Sequence, residues 1–230
     1  MRAEWVPVSA AALVTGVMAL VLAQMLNPAG PGESPAAQVF SAADNPGRWL
    51  AMSILFFIGA ALLVLGVPAV TTLFEERRGR GLGLVGSAVF AVGCVGVGGI
   101  AALLLMFRAL ALQGVADSGA GSPEVTLVTE ALDEGSLSLI VMLWSYGFML
   151  GVVLIAFGLL RGKRVPRWVP LMLLAFVLVQ LVTPLFDGEM LVRVVASVSL
   201  MLLAAGFTGV ATNAASPRSR VPVTHALVRG

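Results

Sequence analysis

Six long stretches of this chain carry no charged side chain. They lie between Glu4 and Glu33, Arg48 and Glu75, Arg80 and Arg108, Glu134 and Arg161, Arg167 and Asp187, and Arg193 and Arg218, and each holds 19 or more residues. A helix rising about 1.5 Å per residue needs about 20 apolar residues to cross a hydrocarbon layer about 30 Å thick. The pattern predicts an all-α, polytopic membrane protein with six transmembrane helices, over about 6–26, 49–74, 81–107, 136–160, 168–186 and 194–211. Only 11% of the 230 residues are charged and 59% are hydrophobic, where a soluble domain carries about 25% charge. The spans use nearly all of the length and leave a basic tail over 218–230. The first apolar run, Val6 to Leu26, exceeds the 7–15 residues usual for a signal-peptide core. It is expected to be a retained helix, although Val21-Leu22-Ala23 offers small residues to a peptidase.

The charges between the spans sort by side. The amino end, the loop Glu75–Arg80, the loop Arg161–Arg167 and the tail together hold 11 basic and 3 acidic residues, a net of +8. The opposite side holds Arg48, Arg108 and Arg193 against nine carboxylates, a net of −6. Lys and Arg near a span are retained in the cytoplasm during insertion. Both termini are therefore predicted to be cytoplasmic. All the basic residues except Lys163 are Arg, and Ala, Gly and Val abound, which suggests a GC-rich bacterial genome. The expected location is the bacterial cytoplasmic membrane, with the lipid bilayer as the main partner.

Local signals refine the spans. Trp49 stands where an aromatic ring would anchor at the lipid–water boundary. Pro68 predicts a kink in the second span. The loop after Leu26, with Asn27-Pro28-Ala29-Gly30-Pro31-Gly32, reads as irregular. In the loop between the third and fourth spans, Ser122-Pro123-Glu124 is an N-cap signal, and Val125, Val128 and Leu132 recur at helical spacing. That predicts a short amphipathic surface helix or an extension of the fourth span. Small residues allow close helix approach in lipid. Gly93, Gly96 and Gly99 at i+3, and Gly147 and Gly151 at i+4, read as packing faces rather than a phosphate loop.

Polar groups within the spans are costly, so they point to sites. No carboxylate, His or Lys lies at mid-membrane, which weighs against a proton-coupled transporter. The polar groups that remain, Ser145, Thr183 and above all Gln24, Arg108, Trp144, Tyr146 and Gln180, fall in the half toward the acidic side or near the midplane. They are the candidate ligand-binding residues of an outward-opening pocket, set against a purely structural reading with interhelical bonds and snorkelling arginines. Asp187 and Glu189, in the turn between the fifth and sixth spans, are candidate acids, or simply a solvated rim. Arg193 follows Glu189 at i+4, the spacing of an ion pair. Arg161, Lys163, Arg164 and Arg167 could attract anionic headgroups, but topology alone explains them. Nucleic-acid binding has no further support. Cys94 is the single cysteine and His225 the single histidine, so neither a metal site nor a cofactor is expected.

The run Gly147-Phe148-Met149-Leu150-Gly151 through Gly158-Leu159-Leu160-Arg161-Gly162, followed by Val165-Pro166-Arg167-Trp168, resembles families of six-helix bacterial membrane proteins that have no assigned activity. The resemblance implies the architecture and transfers no catalytic residue. The functional expectation is a non-enzymatic membrane protein, in an accessory or sensing role, with an outward pocket for a small lipophilic or amphipathic ligand. The alternative is a membrane enzyme acting on a lipid or isoprenoid. It is an analogy of size with terpene cyclases, in which Asp187 or Glu189 would donate a proton. A reporter fused after Arg218 should read as cytoplasmic, and one inserted near Gly121 as external. A periplasmic signal from the tail fusion would reverse the orientation.

Overall fold

A computed structural model describes residues 5–29, 34–74, 79–113, 123, 126–127, 130, 137–163, 165–185 and 189–216 of the chain. Every regular element among them is a helix. They are α1 (Trp5–Leu26), α2 (Pro35–Asp44), α3 (Pro46–Thr72), α4 (Arg80–Leu112), α5 (Ser138–Gly162), α6 (Trp168–Val182) and α7 (Glu189–Ala215). A 3-10 turn, Thr183–Leu185, extends α6. All but α2 and α6 are long and apolar enough to cross a membrane, and α6 is a shorter apolar helix. Of the loop between α4 and α5, Pro123, Thr126, Leu127 and Glu130 are helical and exposed, and the apolar face expected there, Val125, Val128 and Leu132, lies outside the described residues. The tail after Pro217 lies outside the described residues.

Several boundaries differ from the sequence reading for local reasons. α3 starts at Pro46, because a proline at the first helical position costs no hydrogen bond. α4 runs past Arg108 to Leu112, carried by Ala109-Leu110-Ala111-Leu112. α7 extends beyond its predicted span at both ends. α3 continues through Pro68, and the hydroxyls of Thr71 and Thr72 donate to the Pro68 and Ala69 carbonyls at 2.9 and 2.8 Å. The loop after Leu26 contains α2. Ser34 Oγ accepts the Ala37 amide at 3.2 Å and Pro35 opens the helix. The Ser-Pro pair that signals a helix at Ser122-Pro123 is present at Ser34-Pro35 too.

The six long helices close a ring in chain order. α1 packs on α3, α3 on α4, α4 on α5, α5 on α6, α6 on α7, and α7 returns to α1. Phe90, Phe148, Phe176 and Phe207, from α4 to α7, fill the interior. Phe90 stacks at 5.0 Å on Phe148 and 5.2 Å on Phe207, and Phe148 meets Phe176 at 6.2 Å. The perimeter is apolar as well, with Met18, Phe57, Val95, Leu150, Leu178 and Met201 exposed from the six long helices in turn. Water would penalise such a surface, whereas hydrocarbon suits it. Buried hydroxyls have partners: Ser53, Ser87 and Ser199 donate to carbonyls of their own helix, and Ser9 on α1 to the Leu65 carbonyl of α3 at 2.5 Å. The helices thus fit an integral, multi-pass membrane protein.

Two glycine seams set the ring's dimensions. On α1 and α3, Ser9 and Gly16 are seven residues apart, as are Gly59 and Gly66. A Cβ on Gly16 would fall 2.9 Å from the Leu63 amide nitrogen, and one on Gly66 2.8 Å from Leu13 Cα. A seven-residue repeat keeps one face toward its partner in a left-handed crossing. The second seam joins α4 to α5. Gly83 meets Gly158, Gly86 meets Ile155, Phe90 meets Gly151 and Gly93 meets Phe148, with backbone facing backbone. Gly96 and Gly99 continue the line against Trp144 and Ile140, as the i+3 spacing predicts. Gly98 points elsewhere, with only the Ala60 side chain near it.

A side chain on this seam would force two backbones apart, at a cost of about 1–3 kcal/mol or more. Gly96→Leu should therefore lower the melting temperature in detergent clearly, while Val95→Leu, at an exposed neighbour, should barely change it. Equal melting temperatures would show that the α4 face is not in contact.

Candidate functional site

The α4–α5 seam changes character where the candidate aromatic residues lie. From Gly83 to Gly93 the two helices advance in equal steps. Beyond it α4 moves three residues at a time, Gly93 to Gly96 to Gly99, while α5 moves four, Phe148 to Trp144 to Ile140. Over this stretch, Leu143–Gly147, α5 is a π-helix, and the Phe148 amide donates to the Leu143 carbonyl, five residues back. A π-turn takes up an extra residue, which lets α5 stay on an α4 face of i+3 glycines. Such turns recur at functional sites. Trp144 lies on the seam, its backbone against Gly96, and Tyr146 two residues on points away from α4. Trp144 is 40% exposed and Tyr146 is 73% exposed. Ser145 is half-buried between them.

Gln24 near the end of α1 and Gln180 near the end of α6 are each half-buried. Phe148 and Phe176 face each other across the α5–α6 contact. Four residues toward the acidic end from this pair stand Trp144 on α5 and Gln180 on α6, so the antiparallel register brings these two to a common depth. Tyr146 projects from the perimeter of the ring rather than into its interior. Asp187 lies outside the described residues, as does the side chain of Glu189, the first residue of α7. The proton-donor reading of these acids and the Glu189–Arg193 pair thus fall outside the described residues.

Arg108 is engaged in structure. Its Nε donates to the Pro46 carbonyl at 3.0 Å, tying the last turns of α4 to the start of α3. Arg193 Nη2 likewise donates to the Pro28 carbonyl at 3.3 Å, and Asn27 Oδ1 accepts the Ala29 amide at 3.0 Å in the same loop. Trp49, expected as a boundary anchor, is instead fully buried. Its indole Nε1 donates to the Leu104 carbonyl at 2.7 Å. The reason is α2: Val39 and Ala42 of that helix join Ala23, Met52, Phe107 and Ala111 in a second apolar cluster that encloses the ring of Trp49. The acidic end is thus clamped by α2, two arginines and one indole. Sequence reasoning missed this clamp because it missed α2.

Trp144 and Tyr146 are two residues apart, so they leave α5 on different sides, and of the candidates only Trp144 and Gln180 are brought to one depth. Among the described residues, no three His, Cys, Asp or Glu side chains lie close enough to share a metal ion. No family model, curated protein or solved structure matches the chain.

The clamp has a measurable weight. Trp49→Phe removes the indole donor and leaves a gap in a sealed cluster, and should destabilise by about 1–3 kcal/mol. Trp5→Phe, at an exposed position, should have little effect. Thermal unfolding in detergent, followed by circular dichroism, compares the two, and equal curves would remove Trp49 from the clamp.

Proposed function

We propose that this chain is a non-enzymatic, six-span protein of the bacterial cytoplasmic membrane, with both termini in the cytoplasm. Its role is that of an accessory or sensing protein that takes a small lipophilic or amphipathic ligand on its outward-facing half. The six-span count is supported by α6 and its 3-10 extension. At about 1.5 and 2.0 Å per residue they reach about 28 Å, close to the hydrocarbon thickness. The orientation is supported by the +8 against −6 charge division across the spans.

The observation that carries the ligand reading is the π-turn at Leu143–Gly147. It seats Trp144 against Gly96 and leaves it 40% exposed, at the depth of Gln180 and in the half of the bundle that faces outward in this orientation. A partly exposed indole and a half-buried amide at one depth on neighbouring helices suit a ligand that partitions into lipid and carries one or two polar atoms. Tyr146, two residues along, leaves α5 on another side and has no part in this surface, and Gln24 stands at the same end of the ring. Arg108 is held by the Pro46 carbonyl and has a supporting part.

A ligand that binds only the folded state raises its melting temperature by mass action. Purified protein in lipid nanodiscs, challenged with isoprenoid alcohols, quinones and fatty acids, should show a melting shift with one of these classes. Trp144→Ala and Gln180→Ala should each remove about half of that shift or more, while Leu84→Ala, an exposed position at the basic end of α4, should keep it. Absence of a shift from every class would refute the ligand reading, and a shift indifferent to both variants would refute the site.

A further inference from the structure

The connection between α5 and α6 has a shape that topology does not require. α5 ends at Lys163, whose φ of 54° is left-handed and whose amide donates to the Leu159 carbonyl at 3.1 Å. Helices commonly end in this conformation on glycine. Here the position is held by a lysine, with Gly162 just before it. The chain then turns through Val165 and Pro166 into α6, whose N-cap is Arg167. The turn encloses a hollow of about 280 Å³. Lys163 and Arg167 supply its charge, and Leu159, Leu160, Pro166 and Pro170 its apolar walls. Val165 is buried beneath.

Three features around this hollow define what would fill it. Both cations are exposed, and the chain segments assigned to this end carry 11 basic against 3 acidic residues. The negative end of the α5 dipole and the positive end of the α6 dipole both meet here, so the two side-chain cations set the sign of the field. Trp168, exposed beside Arg167, stands at the depth where aromatic rings mark the lipid–water boundary. One turn further toward mid-membrane, Phe157 on α5 and Leu171 on α6 are exposed on the perimeter. A charged hollow at headgroup depth thus stands at the same end of α5 and α6 as exposed apolar residues at acyl-chain depth.

We propose that Lys163 and Arg167 form a binding site for the phosphodiester headgroup of an anionic phospholipid, whose acyl chains lie along Phe157 and Leu171. Basic pockets between helices on the cytoplasmic side are suited to such headgroups. The inference rests on the reading of this end as the cytoplasmic headgroup level, and it is independent of the ligand assigned to Trp144 and Gln180. A phosphate ion shares the headgroup's charge but lacks the chains that these apolar residues would hold.

The test uses the full chain in detergent, titrated with phosphatidylglycerol and, separately, phosphatidylcholine, with bound lipid counted by native mass spectrometry. The paired variant Lys163→Gly with Arg167→Gln should weaken phosphatidylglycerol binding about tenfold or more, with phosphatidylcholine unaffected. Arg80→Gln removes a charge from the same end but outside the hollow, and should change binding by less than about twofold. Lys163→Gly alone places glycine in a left-handed position, so its melting temperature should hold or rise. A binding loss in that variant then reports the site and not unfolding. Comparable losses in Arg80→Gln and the paired variant would reduce the effect to surface charge and overturn the proposal. Displacement of the lipid by millimolar inorganic phosphate would make the site one for free phosphate and overturn the lipid assignment. Either failure leaves the melting shift governed by Trp144 and Gln180 standing.

Discussion

Backbone contact between α4 and α5 is the constraint on which most of this bundle depends. In water, apolar side chains drive helices together. In hydrocarbon that drive is missing, and close packing must supply the attraction. Gly83, Gly86, Gly93 and Gly96 on α4, with Gly151 and Gly158 on α5, remove every Cβ that would hold the two backbones apart. With this seam closed, Phe90 and Phe148 meet in the interior, and Phe176 and Phe207 complete the cluster from the next two helices. The π-turn follows from the same constraint. A line of glycines at i+3 drifts around an α-helix, and a partner that follows it needs four residues where α4 uses three. The local cost of the turn is offset by contact kept along the full seam. Trp144, whose indole carries the ligand reading, lies on that turn.

The second requirement of a bilayer is that polar groups find partners inside the protein. Buried serines meet it through carbonyls one helical turn away, and Ser9 meets it across the α1–α3 seam. Arg108, Arg193 and the Trp49 indole meet it with carbonyls of neighbouring segments. These three bonds are at the acidic end, where α2 closes over the ring. The basic end is built differently. A tight left-handed cap leaves Lys163 and Arg167 exposed around an apolar-walled hollow. The two ends of one bundle therefore present different chemistry: a pinned, closed surface at one and an open cationic hollow at the other.

The span pattern, the apolar faces and the charge division are local properties, and each was legible in the chain. A gap such as Arg80 to Arg108 states its own length, and the i+3 glycines of α4 state that a face is meant for close approach. Ser34-Pro35 carried the signal for α2 as plainly as Ser122-Pro123 did for the later loop, and went unused because the surrounding prolines and glycines suggested an irregular segment. Trp49 shows the limit of such reading. A tryptophan at the start of a span can face lipid or core, and only the position of α2 decided that it is buried.

The sequence by itself thus determined that the chain is helical and apolar, where most of its spans lie, and how charge divides between their ends. Hydropathy and charge depend on neighbours along the chain, so they survive without knowledge of the fold. Tertiary structure alone decided the ring order, the π-turn, the half-burial of Gln180 and the exposure of Tyr146, the clamp that occupies Arg108, and the hollow between Lys163 and Arg167. These depend on which residues distant in sequence come to face each other, as Gly83 does Gly158 and Phe148 does Phe176. The rotation of a helix about its axis is fixed by its neighbours, and a uniformly apolar helix carries too weak a pattern to reveal it.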